Sequence, residues 1–98
     1  MGQRKVTILD AAVNAVAQVS YFIEGAGLPQ SAKGFVNEAF IFFEKLADDR
    51  LTHRPCGYLP WRKLRYRCAT FRKKYTVAYL EFDTEILICD FSLTKLLV

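Results

Sequence analysis

Tyr75-Thr-Val-Ala-Tyr-Leu-Glu-Phe82 decides how the rest of the chain is arranged. In an extended backbone Tyr75, Val77 and Tyr79 fall on one side and Ala78, Leu80 and Phe82 on the other, so both faces are apolar. Such a strand belongs in the middle of a sheet. Its neighbours follow on either side. Phe82, Asp83 and Thr84 make a turn, and Ile86, Leu87, Ile88 and Cys89 lead to Phe91 as a last strand. Before it, residues 70–74 form a basic turn. Earlier still, Leu64, Tyr66 and Cys68 alternate with Lys63, Arg65 and Arg67, which predicts a strand that buries one set and exposes a basic ladder. Two consecutive hairpins make an antiparallel meander.

Towards the N-terminus the period changes. Val6 and Ile8, with Arg4, alternate with Lys5 and Thr7 as a half-buried strand of about six residues. Asp10 stands at an N-cap position. Ala12, Val13, Val16, Val19 and Ile23 then recur at helical spacing over residues 11–24, and Gly25 and Gly27 provide a stop. Pro29 suits the first turn of a second helix reaching about residue 50, with Ala32, Phe35, Val36, Ala39, Phe43 and Leu46 on its apolar face. Gly34 inside that helix costs about 1 kcal/mol relative to Ala and predicts a close helix approach. Residues 39–43 are apolar all round. Either this helix is wedged between the first helix and the sheet, or Phe40, Ile41 and Phe42 meet another protein. A loop with Pro55, Gly57 and Pro60 separates the helical half from the extended half.

The predicted fold is α+β: a strand, a two-helix hairpin and a three-stranded antiparallel meander (βααβββ), with one layer of helices on a small twisted sheet. A chain of 98 residues, 52% of them hydrophobic, buries one modest core, so residues 1–98 form a single domain. It has no apolar run of about 18 residues and no signal-peptide pattern at its start, which predicts a soluble, cytoplasmic protein with no membrane partner. Cys56, Cys68 and Cys89 are odd in number and widely spaced, as expected of free thiols in a reducing compartment. Neither a metal site nor a cofactor is expected.

Charge is unevenly placed. The net charge is +4, yet nine of the fourteen basic residues lie between Asp49 and Glu81 with no acid among them: Arg50, Arg54, Arg62, Lys63, Arg65, Arg67, Arg72, Lys73 and Lys74. Such a stretch attracts phosphate backbones or an acidic partner, although a solvated face has the same composition.

With this order of elements, the whole chain resembles the RelE/ParE superfamily of toxins. The resemblance is carried by Trp61-Arg-Lys-Leu-Arg-Tyr-Arg67, Lys73-Lys-Tyr-Thr-Val-Ala-Tyr79 and Glu85-Ile-Leu-Ile88. It implies the toxin of a type II toxin–antitoxin module, of the kind linked to plasmid stabilization, held in a hetero-oligomer by a cognate antitoxin. RelE-like relatives are mRNA interferases that cut messenger RNA on the ribosome; ParE-like relatives inhibit DNA gyrase without cutting. A basic RNA- or protein-binding module with no toxin role is the remaining alternative.

In the nuclease reading, RNA cleavage needs an activated 2′-hydroxyl, a stabilised phosphorane and a protonated leaving oxygen. Arg65 and Arg67 resemble the basic pair such enzymes carry, and His53 is the one histidine that could act as a base. Arg62, Lys63, Arg72, Lys73, Lys74 and Lys95 complete a surface for nucleic acid or another target. The antitoxin is expected on Phe40, Ile41 and Phe42. The chain departs from the nuclease pattern in having Thr76 after Tyr75 and no Tyr near its end, so enzymatic activity stays open. Trp61 either stacks on a base or plugs the core.

Overall fold

The structure, a computed structural model, describes residues 4–48, 50 and 52–97. Strand β1 (Lys5–Ile8) is followed by α1 (Asp10–Gly25), α2 (Pro29–Lys45), a short α3 (Leu59–Lys63), β2 (Arg67–Phe71), β3 (Tyr75–Glu81) and β4 (Glu85–Leu93). The sheet order is β1-β4-β3-β2, so the stretch read as central is central. β2, β3 and β4 form the antiparallel meander, and β1 joins the free edge of β4 in parallel, Lys5 opposite Glu85 and Ile8 opposite Ile88. The fold is the α+β arrangement expected from the sequence.

The two long helices cover one face. Tyr75, Val77 and Tyr79 point to it with Ala69 and Phe71 of β2 and Ile86, Ile88 and Phe91 of β4. Spacing of 86, 88 and 91 breaks strict alternation, because the β3–β4 register shifts between Ala78 and Tyr79. Asp90 lies opposite Ala78 and Ile88 opposite Tyr79, so Cys89 is the extra residue of a bulge. Phe35 is the centre of this core, meeting Phe71, Tyr75 and Phe91 edge-on at 5.9, 5.2 and 6.1 Å.

Several local expectations are corrected. Leu9, not Asp10, is the N-cap of α1, and Asp10 sits in the first turn, where its charge favours the helix dipole. Gly27, at φ +85, is the left-handed residue just past the end of α1. A methyl on Gly34 would meet nothing within 4 Å, so close helix approach does not explain that glycine. The second helix stops at Lys45 rather than near residue 50. Arg4 explains the stop: its guanidinium donates to the carbonyls of Ala47 and Asp48 at 3.3 and 3.0 Å, satisfying groups a further helical turn would have used. Asp49 lies outside the described residues.

The largest departure lies in residues 59–66. No strand begins at Lys63. Pro60 lies in the first turn of α3, Trp61 is buried against Cys56 and Ala78, and Arg65 takes a left-handed turn at φ 64. Leu64, read as buried, is 56% exposed. Burial of one indole outweighs the period-two pattern around it. Trp61 is therefore a core plug, and α3 seals the sheet face opposite the long helices. Among the described residues no helix is long and apolar enough to cross a membrane.

Candidate functional site

The end of β3 collects the buried charge of the molecule. Residues 54–56 fold back antiparallel on β2: the Cys56 N–H donates to the Tyr66 carbonyl at 3.0 Å and the Cys68 N–H to that of Arg54 at 3.1 Å. A disulfide between Cys56 and Cys68, with Cα atoms 4.9 Å apart, ties the same two segments. These two thiols are therefore not free, contrary to expectation, and widely spaced cysteines meet because the loop returns to its own strand. Cys89 is the one free cysteine among the described residues; burial raises its thiol pKa and makes it a poor nucleophile.

The fold-back sets His53 over β3. Its Nδ1 lies 2.9 Å from the Tyr79 hydroxyl, with the rings edge to face at 5.9 Å. Arg67 donates from Nη1 to the His53 carbonyl at 2.6 Å, and its Nε forms an ion pair with Glu81 at 3.0 Å. The second Glu81 oxygen accepts from Arg4 Nη1 at 2.9 Å. One carboxylate thus holds two guanidiniums, leaving a surplus positive charge. Arg4 is sealed in at 7% exposure, so the surplus is presented by Arg67, 38% exposed.

Burial pushes the Tyr79 phenol up to about 12, and the Glu81 carboxylate adds to the rise. Because the folded value lies above the ordinary phenol value of 10.0, its contribution to stability is complete below pH 10 and is lost between there and about 12. We expect alkaline unfolding in that window, followed by tyrosinate absorbance, and expect Tyr79→Phe to flatten the curve there. Arg50 holds Asp48 down at about 2 through hydrogen bonds to its carboxylate.

The sequence-predicted residues therefore divide. His53 and Arg67 come together; Arg65 does not join them. Arg67 is engaged from the start of β2, while Arg65 stands exposed in the preceding turn, so the basic ladder does not exist. Arg62 and Lys63 are exposed on the last turn of α3. Arg72, Lys73 and Lys74 form the β2–β3 turn at the opposite end of the sheet, and Lys95 joins them because the Thr94 N–H donates to the Lys74 carbonyl at 2.8 Å. Phe40 and Phe42 pack inward, against Phe43 at 5.7 Å and Phe71 at 5.3 Å, leaving Ile41 exposed. The helix is wedged, and it presents no aromatic strip.

Arg4, Tyr79 and Glu81 were not singled out as site residues. Their signal lies in the sequence: Arg4 shares the alternation of Val6 and Ile8, and Glu81 that of Tyr75, Val77 and Tyr79, which puts each charge on the same side of its strand as apolar side chains. Among the described residues no cluster of three His, Cys, Asp or Glu could hold a metal ion. Compared with known protein families and with curated proteins, the chain matches none.

Proposed function

We propose that the protein is a RelE/ParE-type toxin, paired with an antitoxin, that binds ribosome-bound messenger RNA and cleaves it without metal. The observation that carries this reading is the meeting of His53 and Arg67. Tyr79 occupies Nδ1 of the imidazole and leaves Nε2 as the nitrogen that takes the 2′-hydroxyl proton. Glu81 and the His53 carbonyl occupy Nε and Nη1 of Arg67, which leaves its outer N–H groups for the phosphorane oxygens. Exposed Arg54, Arg62, Lys63 and Arg65, on the neighbouring stretch, hold the flanking phosphates. One imidazole serves only one end of the reaction. The proton for the leaving oxygen comes from the target's side, so cleavage depends on the ribosome and free RNA is cut poorly.

Purified protein with programmed ribosomes tests this directly. His53→Gln and Arg67→Lys should each slow cleavage about 100-fold or more while preserving the fold, since lysine still pairs with Glu81. Arg62→Ala should weaken binding and spare the rate at saturation. Undiminished cleavage by His53→Gln would remove the histidine from the reaction. Absence of any cleavage, with DNA gyrase trapped instead, would establish the ParE-like mode.

A further inference from the structure

At the other end of the sheet an apolar groove runs between α1 and the β2–β3 turn. Phe22, Tyr75 and Leu93 line both of its adjoining cavities, of about 560 and 300 Å³. Lys73, Lys74 and Lys95 line the larger one, and among the described residues no acidic side chain lines either. Phe22 is 80% exposed on the outer face of α1, more than any other large apolar side chain among the described residues.

The basic rim is built. Arg72 and Lys73 hold left-handed conformations at φ 55 and 61 within the three-residue turn between Phe71 and Tyr75, a backbone that normally recruits Asn or Gly. Arg72 is fixed by Glu38 at 2.7 Å and lies over the rings of Phe35 and Phe71 at 5.4 and 5.5 Å. Lys95 is fixed by the Thr94–Lys74 backbone bond and by a 2.7 Å hydrogen bond between the Thr76 and Thr94 hydroxyls. Three ammonium groups therefore surround an aromatic floor, and no carboxylate side chain of the described residues lines it.

We propose that this groove docks an acidic amphipathic helix from a partner polypeptide, its apolar side chains on Phe22, Tyr75 and Leu93 and its carboxylates over Lys73, Lys74 and Lys95. Charge complementarity selects the acidic face, and the exposed ring beside a concave floor suits side chains entering from a helix. A flat bilayer cannot follow the concave floor. Tyr75 lies about 13 Å along β3 from Tyr79, so the occupant leaves His53 and Arg67 open. The proposal thus concerns a tether and stands independently of the cleavage reading.

The probe is a dye-labelled synthetic helix of about 14 residues, Leu at i, i+3, i+4 and i+7 and Glu elsewhere, titrated with the full chain by fluorescence anisotropy. We expect saturable binding that weakens with salt. It should weaken at least tenfold, on the order of the loss of one buried anchor, in Phe22→Ser and in the triple variant Lys73→Glu, Lys74→Glu, Lys95→Glu. The triple variant should also come to prefer a Leu/Lys probe. Both sets of positions are exposed, so the variants keep the fold. Lack of binding, equal binding by the variants, or capture by phosphatidylglycerol vesicles through these residues without competition from the probe would overturn the proposal.

Discussion

Glu81→Ala should lower the stability of the protein by about 3 kcal/mol, a fall in Tm on the order of 15 °C for a chain of this size. The reason is asymmetry. Glu81 is the anion for Arg4 and Arg67 at once, and Arg4 is too deeply placed for water to replace it. Removing the carboxylate leaves one sealed guanidinium with carbonyls alone for company, those just past α2 and that of Phe82, and no counter-charge. The same substitution frees Arg67, so the site loses its orientation together with the fold. Glu81→Gln should lie between, keeping hydrogen-bond acceptance and losing the charge. Thermal unfolding followed by circular dichroism checks both. A loss below about 1 kcal/mol in Glu81→Ala would mean that the two arginines find other partners.

The elements that could be read from the sequence are those where one face decides. β3 is apolar on both sides and central, and the heptad-like spacing of α2 predicted its buried residues Phe35, Ala39 and Phe43. Reading failed where period and burial disagree. Leu64, Tyr66 and Cys68 alternate like one strand, yet only Cys68 lies in β2, and Leu64 ends the helical turn around Trp61, because a single large side chain finds its pocket on Ala78. The site was legible only in halves. His53 and Arg67 were both singled out for their chemistry, but what joins them is the return of residues 54–56 onto β2, a tertiary pairing with no local signature. The aromatics at 40 and 42 look like excess apolar surface until Phe71 of β2 is laid against the helix.

Breaking the Cys56–Cys68 bond has the second large effect. The bond closes a loop over a sequence separation of 12 that contains the whole of α3 and carries Arg62, Lys63 and Arg65. Loop-closure entropy for that span is worth about 3 kcal/mol, so Cys56→Ser with Cys68→Ser, or reduction by a dithiol, should lower Tm on the order of 15 °C. The loss is not uniform. Buried Trp61 and the paired backbone of residues 54–56 still favour the native arrangement, whereas His53 is held over Tyr79 only while the fold-back stays in register. Cleavage should therefore fall before global unfolding is reached, a separation visible when activity and circular dichroism are followed together in increasing reductant. Thiol titration of denatured protein supplies the control: one reactive group, Cys89, before reduction and three after it. Three thiols before reduction would show that the loop is held by packing alone, and the double serine variant should then melt with the parent protein.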